Sequence, residues 1–484
     1  MRMNARKRPQ WIDVWGFAAH WAWIWCVFWS SRFYEEGAEL ATLTLSPVSM
    51  LEPLWVLSLF SNVVAIGGLL LLVRVRNPLS TLRALPFVAA ALTAVGTLCV
   101  SHLTGVVHSS AASTVYLIGS VLTGVGSACV VVLWGERLVS QGPRYLMGCF
   151  VTAIIVAAGA YVVILLVPTV VAHGIVALLP LASMGCYYRQ QRALPRVPLA
   201  YRNVGTPARP PVVMVLVAFF FGLSFGLMKG LIAPVEPAWI TVRDILNILA
   251  IVGAAVAFYV TSAVFKMDFD HLTYQVALPL MAAGFLCLPL PEPLSVIGTA
   301  VHQFGYQYFY IVLWAIWAVL AAREAMPSAW MAAWGLLAIQ AGQLFGSLAA
   351  DAGVTMLVSD LSRAMLSATV IFVILLVSLF VFGNRSASTG WGFLRPFEEE
   401  TADPSDQATV ERACEALSRR HRLTTRETDV LRLLARGRNR AFICEELVIG
   451  NETVKSHVKA IYRKLGVHSQ QALIDMVEEE RADG

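Results

Sequence analysis

Basic and small polar side chains recur at helical spacing in residues 451–467, NETVKSHVKAIYRKLGV. A helix over this stretch has one apolar side and one polar, positively charged side. The apolar side comprises Val454, Val458, Ile461 and Leu465, and the charged side comprises Lys455, Ser456, Lys459 and Arg463. Lysine and arginine neutralise phosphate groups and release counterions. The charged side therefore has the chemistry of a phosphate-binding surface.

The flanking residues predict three further helices that hold this one in place. The first is capped by Thr425 and ends at Gly437, since glycine commonly stops a helix. The second begins near residue 439 or 440 and reaches the basic helix through a short turn at 449–451, and the fourth runs from about Ser469. Two helices joined by a short turn, the second of them basic, are typical of a helix-turn-helix unit. Residues 419–468 hold twelve Lys and Arg against five Asp and Glu, which favours DNA as the partner.

Residues 422–480 resemble the LuxR-type DNA-binding domain in the order and spacing of their motifs. The family pattern begins with Leu-Thr-x-Arg-Glu, continues with Thr-Val-Lys-x-His and closes with Lys-Leu-Gly-Val and a serine. This chain supplies the pattern at Leu423, Thr424, Arg426, Glu427, Thr453, Val454, Lys455, His457, Lys464, Leu465, Gly466, Val467 and Ser469. The resemblance implies a head of four helices that binds DNA, with dimeric binding through the fourth helix around Leu473 and Met476.

The resemblance also implies which side chains meet DNA. Thr453 and Lys455 are expected on the DNA backbone or bases, and Lys459 and Arg440 on phosphates. Side chains in the N-terminal half of a recognition helix reach base edges in the major groove. The complete predicted DNA site is Arg440, Asn451, Glu452, Thr453, Lys455, Ser456, Lys459 and Arg463. The alternative, that this is merely a solvated basic face, accounts for the charge but not for the ordered motif.

The rest of the chain has the composition of a membrane protein. Of its 484 residues 57% are hydrophobic and only 14% are charged, whereas about 25% of a soluble domain is charged. A spanning helix needs about 20 mostly apolar residues. Such runs lie near residues 12–31, 51–73, 85–107, 112–134, 144–166, 168–187, 212–232, 243–264, 273–290, 296–321, 329–350 and 363–383. The sequence therefore predicts an all-α protein with about twelve spans and a small helical head.

Loop charges predict the orientation of these spans. The N-terminus carries four basic residues and the sixth loop carries five, whereas the third and fifth loops carry none. The first loop holds Glu35, Glu36 and Glu39 beside a single Arg32. Cytoplasmic loops are enriched in Lys and Arg. Both termini are therefore expected in the cytoplasm, and a bacterial inner membrane is the expected location because DNA is accessible there.

The long basic loop after residue 187 divides the spans into two sets of six. This layout resembles the major facilitator superfamily, whose two six-helix halves are joined by a central loop. The second loop, VRVRNPLSTLR, lacks the glycine and aspartate of the family's motif, which argues against transport. The predicted organisation is a membrane sensor over 1–383 with halves 12–187 and 212–383, a linker over 384–421 and a DNA-binding domain over 422–484.

A few polar side chains inside the predicted spans are candidate ligand contacts, because burying them in lipid is costly. The candidates are Lys229, His302, Gln303 and Gln307. Their aromatic surroundings, FFFGLSFGLMKG and HQFGYQYFY, suit an aromatic or steroid-like molecule. The alternative role for such side chains is hydrogen bonding between helices, and for the glutamines it is the preferred one.

These features together predict a membrane-anchored one-component transcriptional regulator whose membrane domain senses a small molecule. The alternative is a facilitator-like transporter that carries a regulatory DNA-binding tail. An enzyme is not expected, since the sequence has no nucleophile motif, metal spacing or phosphate loop, and neither a cofactor nor a metal is predicted. The expected partners are double-stranded DNA, the lipid bilayer, an unidentified small-molecule ligand, a second copy of the chain on DNA and RNA polymerase.

Overall fold

The structure is a computed structural model that divides the chain into two compact units, Met1–Phe397 and Glu398–Gly484. All regular elements among the described residues are helical, as predicted. The described residues are 9–30, 53–101, 109–193, 212–231, 237–265, 267–269, 271–323, 326–356, 404–435, 443, 447, 451–467 and 470–483.

Eleven helices of the first unit coincide in order with the first eleven predicted spans, and the twelfth prediction, 363–383, lies outside the described residues. They are α1 Trp11–Trp29, α2 Pro53–Val75, α3 Leu85–Ser101, α4 Ser109–Ser140, α5 Pro143–Leu166, α6 Thr169–Ala193, α7 Val212–Leu231, α8 Pro237–Tyr259, α9 Leu278–Cys287, α10 Leu294–Arg323 and α11 Ser328–Met356. Short π-helical stretches, Val260–Val264 and His271–Ala277, follow α8 and precede α9. Eight helices of the described residues are long and apolar enough to cross a membrane.

Glycines allow the helices of the first half to approach closely. A Cβ added at Gly124 would lie 2.1 Å from the Ser58 carbonyl oxygen of α2, and one at Gly126 would lie 2.6 Å from the Thr93 nitrogen of α3. Small residues permit such backbone contacts between membrane helices. Asn62 of α2 then donates to the Gly124 carbonyl at 3.3 Å and to Ser127 Oγ at 3.1 Å. Asn62 thus links α2 to α4 by hydrogen bonds.

Aromatic side chains join the two halves around α10. The most apolar stretch of α10, within Leu294–Ala321, is 94% buried. Phe17 of α1 lies 5.7 Å from Trp314 of α10, and Trp21 lies 5.5 Å from Tyr310 in an edge-on arrangement. Trp55 of α2 donates its indole N–H to Ser347 Oγ of α11 at 3.2 Å. These contacts come from helices on both sides of the central loop, so the halves share one core.

Four helices of the second unit lie within the described residues over their full length: α12 Pro404–Arg420, α13 Thr425–Ala435, α14 Asn451–Leu465 and α15 Gln470–Asp483. Ile443 and Leu447, from the predicted second helix, are also helical. The core of the unit comprises Ala413, Cys414, Leu417, Val430, Leu431, Leu434, Ile443, Val454, Val458, Ile461, Leu465, Val467, Leu473 and Val477. Helix α12 occupies the second half of the segment predicted as a linker, 384–421, because three of its side chains belong to this core.

The first helix of the predicted motif is capped one residue earlier than expected. Glu427 N–H donates to Thr424 Oγ1 at 3.3 Å, and Thr424 N–H donates to Glu427 Oε2 at 2.7 Å. This reciprocal pair is a capping box, which satisfies two backbone donors at the start of a helix. Thr424, not Thr425, is therefore the cap, since α13 already begins at Thr425.

Candidate nucleic-acid interface and ligand site

Helix α14 separates its apolar and polar sides as the spacing predicts. Val454, Val458, Ile461 and Leu465 are buried in the core of the C-terminal unit. The exposed residues along the other side include Glu452, Thr453, Lys455, Ser456, Lys459 and Arg463. Asn451 is the first residue of the helix, and Arg440 lies outside the described residues. The structure thus brings six of the eight predicted DNA-site residues onto one exposed face.

The N-terminal end of this face carries weak local contacts. Lys455 Nζ lies 3.5 Å from Glu452 Oε1, and both side chains are largely exposed. Ser456 Oγ donates to the Thr453 carbonyl at 2.8 Å. An exposed ion pair contributes only about 0–1 kcal/mol. A phosphate group can therefore replace Glu452 as the partner of Lys455 at little cost.

The C-terminal end of α14 is anchored by stronger contacts. Lys464 Nζ donates to Glu427 Oε2 at 2.7 Å and to the Arg422 carbonyl at 3.2 Å. Gly466 then stops the helix at φ 70°, a conformation that favours glycine. Burial opposes ionisation of Glu427, but the hydrogen bonds from Lys464 and Thr424 outweigh it and hold the pKa of that carboxyl below its usual range. The recognition helix is therefore fixed to the capping box of α13.

The residues of α15 that were expected to form a dimer contact, Leu473 and Met476, contribute to the core of their own unit. Leu473 is fully buried in the core of its own unit, and Met476 packs against that core. Arg420 of α12 makes a two-point ion pair with Glu480 of α15, at 2.5 and 2.9 Å. The unit uses Leu473 fully and Met476 partly for its own packing, and dimeric DNA binding through this helix stays a prediction.

The candidate ligand residues lie on α7 and α10 of the first unit. His302 is buried, with Nε2 3.3 Å from Ser224 Oγ and its ring 5.1 Å from that of Phe285. The Nε2 atoms of Gln303 and Gln307 are buried and have no hydrogen-bond partner among the residues that the structure describes. Lys229 Nζ lies 5.7 Å from the Trp29 ring and 5.4 Å from the Trp55 ring. Phe225 contacts both parts of this region: its ring centre lies 6.1 Å from that of His302 and 5.5 Å from that of Trp29.

A buried ionic cluster was not anticipated from the sequence. Arg137 of α4 donates from Nε and Nη2 to the two carboxylate oxygens of Asp13 of α1, both at 2.7 Å. Tyr145 of α5 donates to Asp13 Oδ2 at 2.5 Å. Nearby, Glu136 accepts from Ser80 N–H at 3.1 Å, which ties the second loop to α4. A lone aspartate one turn into a tryptophan-rich span was the available signal, because an unpaired charge there would be costly.

Comparison with known families bears out the C-terminal motif. Residues 421–477 match the family model described as "Bacterial regulatory proteins, luxR family". Fimbriae Z protein of Salmonella typhimurium is 45% identical over 53 residues, which are 11% of this chain and 25% of that protein. The HTH-type transcriptional activator RamA of Corynebacterium glutamicum is 41% identical over 54 residues, 11% of this chain and 19% of that protein. The chain thus spans a quarter or less of the length of these relatives.

The first unit resembles solved membrane transporters in fold. A bacterial homologue of the iron transporter ferroportin, crystallised in the outward-facing state with soaked iron, superposes with a TM-score of 0.54 at 12% identity. The match covers 79% of this chain and 100% of the other. A second structure of such a homologue gives a TM-score of 0.53 at 11% identity, over 80% of this chain and 100% of the other.

These comparisons define the class of the two units. The C-terminal unit contains a luxR-type helix-turn-helix domain, and the N-terminal unit has a polytopic helical fold like that of the ferroportin homologues. At such low identity the structural likeness shows the fold alone. In the described part of the chain no three His, Cys, Asp or Glu side chains come together in a way that could hold a metal ion.

Proposed function

We propose that this chain is a membrane-anchored, one-component transcriptional regulator of bacteria. Its C-terminal unit binds promoter DNA, alone or beside a second copy, and acts on RNA polymerase there. Its membrane unit binds a small molecule, and the difference in affinity between two states of that unit changes what the head does. Both termini lie in the cytoplasm, and the membrane is the inner membrane. The proposed domain boundaries remain 1–383, 384–421 and 422–484, with α12 packed as part of the head.

One observation carries this proposal: the exposed face of α14. Lys455, Lys459 and Arg463 lie on it beside Thr453 and Ser456, within a domain of the luxR type. Side chains of this kind neutralise phosphates, while those near the start of the helix read bases. Asn451, Glu452 and Arg440 complete the proposed contact set. The membrane fold of the rest of the chain supports anchoring.

Lys455→Ala and Lys459→Ala test the DNA interface. Each variant is expected to weaken promoter binding and to lower the slope of log affinity against log salt by about one, because one phosphate contact is lost. Gel-shift titrations of the full-length protein at several salt concentrations measure both quantities. Arg419→Ala on α12 removes the same charge from another exposed site and should leave the slope unchanged. Unchanged affinity in both lysine variants would refute the assignment.

The proposed ligand contacts are Lys229, His302, Gln303 and Gln307. The unpartnered amide nitrogens of Gln303 and Gln307 support a ligand with acceptor oxygens, since a buried unsatisfied donor costs about 1–3 kcal/mol. A facilitator-like transporter with a DNA-binding tail is the second candidate function, favoured by the fold of the first unit. Substrate flux through the purified protein in sealed vesicles would establish that alternative.

A further inference from the structure

Three aromatic rings meet where the two halves of the membrane unit come together. Trp29 is the last residue of α1, Trp55 lies in the first turn of α2, and Phe225 lies on α7. The Phe225 ring stacks on Trp29 at 5.5 Å and lies 6.2 Å from Trp55 at an angle of 51°. The cluster of these three rings, Trp29, Trp55 and Phe225, is called the aromatic clamp.

Hydrogen bonds fix the orientation of one wall of the aromatic clamp. Trp55 donates its indole N–H to Ser347 Oγ at 3.2 Å, and Ser347 Oγ donates to the Gly226 carbonyl at 3.3 Å. Phe28 packs edge-on against Trp55 from the other side, at 6.0 Å. The ring face of Trp55 is therefore held in place before any ligand arrives, which lowers the cost of binding.

The chain's own cation already occupies the aromatic clamp. Lys229 follows Phe225 by one helical turn, and its ammonium lies 5.4 Å from the Trp55 ring and 5.7 Å from the Trp29 ring. Both distances fall within the range of about 6 Å at which an ammonium is attracted to an aromatic face. Trp29, Trp55 and Lys229 are all only partly buried, so the clamp is within reach of a molecule outside the core.

The sequence that follows Trp29 is acidic. Residues 30–52, which join Trp29 to the start of α2, contain Glu35, Glu36, Glu39 and Glu52 against a single Arg32. Negative charge raises the local concentration of cations and repels anions. Two indole faces in a fixed geometry, on a chain whose adjoining sequence is acidic, favour a positively charged ligand.

We propose that the small molecule recognised by the membrane unit is an organic ammonium ion, which enters the aromatic clamp and displaces the Lys229 ammonium. This inference rests on the proposed sensing function and names its ligand class. Clusters of aromatic rings are a general recognition device for quaternary ammonium groups. Displacement breaks a link between α7 and the pair α1 and α2. The ligand therefore favours a state in which the two halves are less tightly joined at this end.

Within the proposed ligand site Lys229 then acts as a built-in competitor for the cation. An ammonium tethered on the neighbouring helix acts at a high effective concentration, so it lowers the apparent affinity of a free cation. Lys229→Met removes the competing charge and keeps most of the side-chain volume. Cation binding should become tighter, on the order of tenfold if the two ring contacts contribute as they do elsewhere. Lys229→Arg keeps a competing cation and should bind like the wild type.

Isothermal titration of the purified full-length protein in lipid nanodiscs tests this. The probes are choline and 3,3-dimethylbutan-1-ol, which has nearly the same shape and no charge. Choline should bind the wild type and bind Lys229→Met about tenfold more tightly, whereas the neutral alcohol should bind neither. Trp55→Leu should abolish choline binding, and Trp55→Phe should retain part of it. Tighter binding in a variant cannot come from misfolding.

Three results overturn the proposal: no choline binding by Lys229→Met, weaker binding by Lys229→Met than by the wild type, or equal binding of the neutral alcohol. A gel shift of the same samples with promoter DNA separates the two claims. Choline binding without any change in DNA occupancy leaves the aromatic clamp standing and refutes sensing through it. DNA binding without choline binding refutes the clamp and leaves the DNA-binding part of the proposed function standing.

Discussion

Two ion pairs in the C-terminal unit involve side chains of α14 and differ in their surroundings. Lys455 and Glu452 are both largely exposed, and 3.5 Å separates their charged atoms. Lys464 and Glu427 are 2.7 Å apart, and the Glu427 side chain is 7% exposed. Solvent screens the first pair, whereas the second also completes a capping box. The first pair is therefore available to DNA, and the second is structural.

Glu427→Gln is expected to lower the free energy of unfolding of the C-terminal unit by about 1–2 kcal/mol, because a charge-assisted hydrogen bond to a partly exposed lysine is lost. The pKa of Glu427 lies below its usual range, so its stabilisation is present above that range and is lost as the pH falls through the folded-state value. Urea unfolding of the wild type and the variant from pH 7 to pH 3 measures this.

The difference in the free energy of unfolding between the wild type and Glu427→Gln should accordingly shrink as the solution is acidified. The matched control is Lys455→Ala, which removes the exposed pair and should change stability by less than about 0.5 kcal/mol. A constant difference at all pH values would show that the charge of Glu427 contributes nothing. The DNA affinity of Lys455→Ala should nevertheless fall.

Individual residues mark the limit of prediction from sequence. The buried side of α14 was correctly predicted because Val454, Val458, Ile461 and Leu465 lie within 12 residues of one another and obey a local period. The Asp13–Arg137 ion pair was not predicted, because the two residues are 124 positions apart in the sequence. No local pattern specifies which of the loop arginines meets a given aspartate. That information lies in the packing of α1 against α4 and α5.

At the scale of elements, α12 adds a packed helix to the second half of the segment predicted as a linker. The polar composition of residues 384–421 predicts a linker, yet its apolar side chains also follow a helical period: Val410, Ala413, Cys414 and Leu417. Those side chains pack against the core that α13, α14 and α15 share. Arg432 of α13 adds a contact to Glu415 at 3.0 Å. Helix α12 directly precedes the capping box of α13 in the chain.

Leu417→Ala is expected to destabilise the C-terminal unit by about 2–4 kcal/mol, since truncating a buried leucine loses apolar contacts and leaves a cavity. Arg419→Ala, two residues on and exposed, should change stability by less than about 0.5 kcal/mol. Urea unfolding of residues 398–484, followed by circular dichroism, measures both. Equal stabilities of Leu417→Ala and Arg419→Ala would mean that α12 is not part of the folded unit.

At the scale of the whole molecule, the order of helices was predictable and their partners were not. Apolar runs of about 20 residues reveal spans directly, and α1 to α11 follow the predicted sequence of runs. The contacts that unite the halves, such as Phe17 with Trp314 and Trp55 with Ser347, join residues roughly 290 or more positions apart. The aromatic clamp arises from such contacts. It could be recognised only after Trp29, Trp55 and Phe225 were seen together.

The orientation of the spans decides whether the DNA-binding face can meet DNA at all. The positive-inside rule predicts that the basic sixth loop and the C-terminus lie in the cytoplasm and that the acidic segment 30–52 lies outside. Alkaline phosphatase fused within 31–52 should therefore be active, and fusions within 194–211 or after Gly484 should be inactive. A cytoplasmic reporter enzyme at the same sites should give the reverse pattern. Phosphatase activity at the C-terminus would place α14 on the wrong side of the membrane and refute regulation by DNA binding, however strongly Lys455 and Lys459 bind promoter fragments in solution.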